Sequence, residues 1–341
     1  MRLVACVQDG HSNLFPITPG KTYFHYLPFS IDLFKDGLFV TSAKEEYQHL
    51  VGAKILKAGY KTAEEFLEES YQYIGADNLM QKQAMFGLIT RISEFYKMAS
   101  ISNDIASIPF LFELENGEQQ WVNINGSEPT PAFSPHPLDQ HMYHPEGNNK
   151  GHKAPAKKNY WFEYQKEHKQ VYFQYNQVED HPHGESLAEF SERLFKFIEK
   201  ENVERLIIDV RHNSGGNNFL NIPVVTGVLA AAKINQKGKL FTLIGRNTFS
   251  AAMNFASEME KYTQTLFVGE PTGSSPNNYG EHNGFRLPYS GLYGSYSSLY
   301  FQGGRDSNDK RPWIAPDILA IPTYEEYKQG HDPAIESILD Y

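Results

Sequence analysis

A chain of 341 residues, with 31 Lys plus Arg against 41 Asp plus Glu and a formal net charge of −10, is too acidic for a general nucleic-acid binder, which needs a basic face to release counterions from phosphates. At about 150 residues per domain it has the length for about two domains. Its single cysteine, Cys6, excludes an internal disulfide framework and a thiolate zinc cluster, and no run approaches the ~18 uninterrupted apolar residues of a membrane-spanning helix.

Residues 3–7 form a short apolar segment that ends in Asp9-Gly10-His11-Ser12. Asp-Gly is a turn signal, so His11 is expected at the end of an element. Residues 23–56 read as β-structure, with Asp36-Gly37 between two apolar runs as a hairpin signature. Thr62 and Glu65 form a capping box that opens a helix. A second helix is expected over residues 81–98, with Ala84, Met85, Leu88, Ile92, Phe95 and Met98 on one stripe. Residues 110–114 and 120–124 pair around Asn116-Gly117. The stretch 129–155 holds six prolines and four histidines with little apolar periodicity, and reads as a long connection between domains. Beyond it strands and helices alternate: strands at 160–164 and 171–176, a helix at 186–200, a strand at 206–210, a helix at 219–232, a strand at 240–244, a helix at 250–262 and a strand at 266–268. That order predicts an α/β layer with parallel strands. No internal repeat is visible.

Three loops leave the ends of these strands, where open α/β sheets gather their ligands. The first is Asp209-Val210-Arg211-His212-Asn213-Ser214-Gly215-Gly216. Its paired glycines let backbone approach a ligand and present amide N–H groups to an anion; the plain alternative is a tight strand-to-helix turn. The second is Arg246-Asn247-Thr248-Phe249-Ser250-Ala251-Ala252, with a serine where a helix begins. The N–H after that serine is a candidate oxyanion donor, and the alternative is that Ser250 only caps the helix. No Gly-x-Ser-x-Gly is present, so the sequence does not support an α/β-hydrolase elbow. The third runs from Gly269-Glu270-Pro271-Thr272-Gly273 to Glu281 and reads as a polar loop, functional or simply a solvated connector.

A serine nucleophile needs an imidazole to take its proton and a partner to orient that imidazole. His11 is the choice, although the other histidines compete on chemistry alone, His212 foremost. A metal reading through His141 and His144, with His136, His152, His181 and His183, is weak, since no His-Glu-x-x-His occurs. No cofactor is expected.

Together these segments resemble the family of C-terminal-processing (tail-specific) serine peptidases, and more closely its branch containing the tricorn core and the interphotoreceptor retinoid-binding repeats. Asp9-Gly10-His11-Ser12 is similar to the family's Asp-Gly-His-Ser/Thr, and Asp209-Val210-Arg211-His212-Asn213-Ser214-Gly215-Gly216 to its Asp-Leu-Arg-x-Asn-x-Gly-Gly. Thr248-Phe249-Ser250-Ala251-Ala252 and Gly269-Glu270-Pro271-Thr272-Gly273 match its nucleophile turn and Gly-Glu-x-Thr loop. The resemblance implies Ser250 as nucleophile, His11 as general base, an oxyanion hole from the amides of Gly215 or Gly216 and of Ala251, and a substrate loop at Glu270, Thr272 and Gly273. It also implies a tetrad completed by an acid shortly before Pro316-Asp317, for which Asp309 is the choice over Asp306, and by the hydroxyl of Ser12. Gly273-Ser274-Ser275-Pro276 lacks the lysine of the family's Ser/Lys branch. Met1 stands almost at the His motif, where relatives carry a preceding helical segment, so a trimmed N-terminus is expected and the compartment stays unknown.

The resemblance further implies a crotonase-like α/β core with a PDZ-like β-rich domain inserted after the His motif, carried by Lys35-Asp36-Gly37-Leu38-Phe39-Val40 and Val51-Gly52-Ala53-Lys54-Ile55-Leu56. The expected division is 1–20 (core, His motif), 21–128 (PDZ-like), 129–158 (linker) and 159–341 (core). A PDZ-like domain adds an extended peptide to its sheet edge, which suits a peptide or protein-tail substrate. Three activities are consistent with this reading: a serine peptidase working through an acyl-enzyme, a non-catalytic peptide- or ligand-binding protein on the same scaffold, and an esterase. The oligomeric state is not legible.

Overall fold

The computed structural model describes residues 1–14, 23–131 and 159–341. His136, His141, His144 and His152, with most of the expected linker, lie outside the described residues. The fold is mixed α/β with several sheets.

The largest α/β layer is a six-stranded sheet in the order Tyr160–Gln165, Gln170–Tyr175, Arg205–Asp209, Leu240–Ile244, Leu266–Gly269, Ile318–Leu319. Its first pair is antiparallel and the rest are parallel. The central strands are apolar almost throughout because both faces are covered. Leu206, Ile208 and Val210 turn one way, into a core with Phe190, Leu194, Val224 and Phe255. Ile207 turns the other way, to Phe241, Ala334 and Ile338 of the C-terminal helix Pro333–Leu339; this is the two-residue alternation of a strand. The helix Leu187–Lys200 starts at a Ser186/Glu189 capping box and buries Leu187, Phe190, Leu194 and Ile198 at helical spacing. Burying one such phenylalanine stabilises the fold by about 2 kcal/mol.

A second sheet, wholly antiparallel, takes Phe29–Phe34, Gly37–Ala43, Lys54–Ala58, Ser107–Glu113 and Gln119–Asn125. It shares a core of its own with the helices Ala63–Tyr71, Leu79–Thr90 and Ser93–Met98, through Phe29, Phe66, Phe86, Tyr96, Phe110 and Phe112. The capping box at Thr62 and Glu65 forms, and Gly37 opens the returning strand of the expected hairpin. The single helix expected over residues 81–98 is instead two. Ile92 leaves helical geometry to bridge Tyr26, while Leu27 N–H bonds the Arg91 carbonyl at 2.8 Å and Ser93 N–H the His25 carbonyl at 2.8 Å. Backbone pairing to the incoming chain outcompetes continuation of the apolar stripe.

The third sheet was not expected. The polar loop read as far as Glu281 ends at Pro276, where a long hairpin begins: Asn277–Arg286 against Tyr293–Gln302. Asn13–Leu14 adds to it, pairing with Ser295 and Gly294. That pairing brings the N-terminal turn to the carboxyl ends of the parallel strands. No helix among the described residues is long and apolar enough to cross a membrane.

Candidate active site

The strand Leu240–Ile244 runs into a turn that is fixed before Ser250 is reached. Thr248 is fully buried; its hydroxyl bonds the Val210 carbonyl and accepts the Gly245 N–H, both at 3.0 Å. Phe249 N–H reaches the Asn213 carbonyl at 3.2 Å. Ser250 then adopts φ 54° and ψ −125°, a strained conformation for a residue with a Cβ. This is the sharp strand-to-helix turn that presents a serine hydroxyl in hydrolases, made here without the flanking glycines. Ser250 precedes the helix Ala251–Tyr262 but makes no side-chain capping bond, so its hydroxyl does not cap the helix.

Room for the turn comes from the neighbouring loop. A Cβ on Gly215 would stand 2.7 Å from Ser250 Cβ, and one on Gly216 would stand 2.2 Å from the Val178 carbonyl oxygen. Both have positive φ, 111° and 138°, so glycine is required twice over.

Opposite Ser250 stands His11, from a residue 239 positions away, with Nε2 3.0 Å from Ser250 Oγ. Its ring stacks on Phe249 with centroids 4.4 Å apart. The turn carrying it is bonded from several sides. Asp9 Oδ1 accepts the His11 N–H at 3.0 Å, and Asp9 Oδ2 accepts the hydroxyls of Ser12 and, at 2.6 Å, Ser297. Ser12 Oγ accepts the Ser297 N–H at 3.1 Å, and Ser295 Oγ donates to the His11 carbonyl at 2.9 Å. Ser12 therefore lies behind the imidazole, locking its backbone to the hairpin.

Burial pushes the His11 pKa below the ordinary 6.5; Asp9 and Glu281 pull it up and His282 adds to the depression. Nδ1 is buried with no hydrogen bond of good geometry, although the Tyr279 carbonyl is near enough to favour the protonated ring. A neutral imidazole 3.0 Å from a hydroxyl can take its proton.

The amides of Gly216 and Ala251 have no acceptor among the described residues, whereas Gly215 N–H is bonded to Asn213 Oδ1 at 2.9 Å. Asn213 is fully buried and also donates to the Tyr175 carbonyl at 2.9 Å. Of the two glycines, Gly216 has the free donor and Gly215 supplies the space.

Asp309 does not join His11. Its carboxylate is paired with Arg311, which holds it well below the usual carboxylate range, and Arg311 also bonds Glu260. Glu270 is in a bidentate pair with Arg246, whose guanidinium also reaches the Leu33 carbonyl at 3.1 Å. Thr272 Oγ1 accepts the Ile314 N–H at 2.9 Å, and Gly273 N–H bonds the Thr248 carbonyl at 3.1 Å. These three residues brace the serine turn and the second sheet rather than face His11. His212 lies beside the Asp209–Arg211–Asp332 cluster, and desolvation lowers its pKa. His181 packs on Tyr160 with centroids 4.3 Å apart, and no group of three or more His, Cys, Asp or Glu able to hold a metal occurs among the described residues.

Sequence reasoning missed Asn213, Thr248, Asp77 and Ser297. Asn213 and Thr248 stand inside the motifs around Gly215 and Ser250; Asp77 and Ser297 are single polar residues whose partners lie far along the chain.

No family model matches the chain. Among solved structures it is similar to mature CPAF, at 12% identity and a TM-score of 0.66 over 99% of this chain and 84% of that one. It is likewise similar to mature CPAF complexed with lactacystin, at 13% identity and a TM-score of 0.67 over 99% and 85%. The photosystem II D1 C-terminal processing protease is matched over 98% and 85% of the two chains at 12% identity, but its TM-score of 0.38 carries no argument. At such identities the likeness to CPAF is one of fold.

Proposed function

We propose that the chain is a serine-type peptidase-like hydrolase that cleaves peptides or unstructured protein tails through an acyl-enzyme. The 3.0 Å approach of His11 Nε2 to Ser250 Oγ carries this reading; the strained turn at Ser250 and the free amides beside it support it. As Ser250 Oγ bonds to the scissile carbonyl carbon, its proton passes to His11 Nε2. The oxyanion is received by the amides of Gly216 and Ala251. The C–N bond breaks and the leaving amine takes the proton from His11. Water then attacks the ester with His11 again as base, releasing the acid and restoring Ser250.

In this reading the imidazole is oriented by Phe249 and by the bonds of Asp9 and Ser295 to its backbone, and Asp309 is not the acid. In the same reading residues 1–14 and 159–341 belong to a crotonase-like core and residues 23–128 to a PDZ-like domain, while residues 15–22 and 132–158 lie outside the described residues. The similar CPAF structure complexed with lactacystin makes that compound one probe of the site.

A second reading, a binding protein without catalysis, is favoured by one observation: no carboxylate among the described residues bonds His11 Nδ1. Ser250→Ala separates the two. Loss of hydrolysis of a mixed peptide library, with melting unchanged, supports the hydrolase. A wild-type protein that cleaves no member but binds some with the same Kd as Ser250→Ala supports the binding protein.

A further inference from the structure

The turn that carries His11 is held from behind by a residue of the other core. Asp77 lies in the connection between the helices Ala63–Tyr71 and Leu79–Thr90. Its Oδ1 accepts the Gly10 N–H at 2.7 Å, and its Oδ2 accepts the hydroxyl of Ser274, from the loop after the strand Leu266–Gly269. The next residue extends the junction: Asn78 Nδ2 donates to the carbonyls of Thr272 at 3.0 Å and Pro312 at 2.6 Å. Gln81 closes it, accepting the Asp77 N–H at 2.8 Å and packing so tightly on Gly10 that a Cβ there would meet its amide at 2.4 Å. Three distant segments thus converge on two adjacent side chains, one residue from His11.

We infer that Asp77 is a positioning residue: its ionised carboxylate clamps the His11 turn to the Ser274 loop and so sets the reach of His11 to Ser250. This rests on the reading of Ser250 and His11 as nucleophile and base. The chemistry asks for a carboxylate rather than an amide. Two donors, an N–H and an O–H, point at the same side chain, and only an ionised carboxylate offers an acceptor to each. An Asn, or a protonated Asp, turns a donor towards one of them.

The clamp is also placed to respond to proton concentration. Burial lifts the Asp77 pKa from 3.8 to about 6; the bonds from Ser274 and Gly10 work against that rise, and Asp9 adds to it. Besides Asp9, the charged or titratable groups around it are Glu68 and Tyr71 on one helix and Lys82 on the next, which share a depression with it; the 270–276 loop presents it with the neutral Ser274. As pH falls through about 6 the carboxyl takes a proton; His11, facing Asp9, Glu281 and His282, is protonated in a separate step, burial holding its pKa below the ordinary value. Two separate protonations then switch the site off.

The test is the rate at which a fluorophosphonate probe labels Ser250, measured against pH on the full chain. In the wild type the acid limb should approach a slope of two. Asp77→Asn should label about tenfold more slowly or worse at neutral pH, since small misplacements of a reacting group are costly, and its acid limb should fall to a slope of one. Ser274→Ala, which removes a bond that stabilises the charged form, should move the limb to higher pH. A merely structural Asp77 would slow labelling equally at every pH and leave the slope unchanged. An Asp77→Asn protein with wild-type rate or a slope of two overturns the inference. If that variant does not fold, an unmoved limb in Ser274→Ala overturns it and an upward shift sustains it. A wild type whose Ser250 is never labelled sinks the nucleophile reading itself, a different result.

Discussion

Ser250 is held in a conformation that residues with a Cβ avoid, with φ 54° and ψ −125°. Strain of this kind costs on the order of 1–3 kcal/mol and persists only where surroundings over-determine it. Here they do: Thr248 is bonded on both sides, and Gly215 leaves no room for a side chain. Gly215→Ala should therefore damage function and fold together. We expect labelling of Ser250 to fall by about a hundredfold and melting to drop; a variant with unchanged labelling would show that the turn tolerates displacement. Asp77 presents the opposite balance. Its carboxyl titrates at about 6 in the folded chain against 3.8 ordinarily, so the folded state binds the proton more tightly. The stability this contributes is full below the unfolded value and lost as pH rises through about 6. At pH 7.5 Asp77→Asn should thus melt about 2 °C higher than the wild type while reacting more slowly. A lower melting point would mean that the carboxylate holds the fold rather than the site.

The loops that make the site are held by elements that the site itself does not touch. Arg211 leaves the strand Arg205–Asp209 to lie between Asp209 and Asp332, with bonds of 2.6 to 3.1 Å to the first and of 2.8 and 2.9 Å to the second. Burial opposes the charge on Asp209, but Arg211 holds its pKa well below the usual range. Asp332 also caps the helix Pro333–Leu339 through the amides of Ala334 and Ile335. The C-terminal helix is thereby tied to the strand that leads into Gly215 and Gly216. Asp332→Ala leaves a buried guanidinium short of a partner and an uncapped helix, and should cost about 3 kcal/mol in urea unfolding. A loss under about 0.5 kcal/mol would place the cluster among pairs that desolvation cancels.

Seen at this scale, the legibility of the sequence divides by range. Parallel strands, the capping box at Thr62 and the turn at Asp36-Gly37 were readable because each depends on a few adjacent residues. The break at Ile92 and the hairpin from Asn277 were not. The first is imposed by Tyr26, 66 positions earlier. The second has a glycine- and asparagine-rich start that looks like loop until the opposing strand Tyr293–Gln302 supplies its bonds.

Over the whole molecule, two cores built from separate stretches of chain meet at one junction. One packs around the six-stranded sheet, the other around Phe29, Phe66 and Phe110. Arg246 reaches from the first to the Leu33 carbonyl of the second, while Asp77 and Asn78 return the contact at the His11 turn. The sequence singled out Ser250 and His11 through short motifs, and the structure sets them 3.0 Å apart. It could not show that Asp309 pairs in the folded chain with Arg311, two residues downstream. Nor could it show Asp77, whose importance lies wholly in Gly10 and Ser274, 67 and 197 positions away.

The most direct test of the account is fluorophosphonate labelling of the full chain at pH 7.5, with the modified residue mapped by mass spectrometry, in the wild type and in His11→Ala. The account predicts labelling at Ser250 and a rate about a thousandfold lower without the imidazole. A wild type unlabelled at Ser250, or a His11→Ala variant labelled as fast as the wild type, would contradict it.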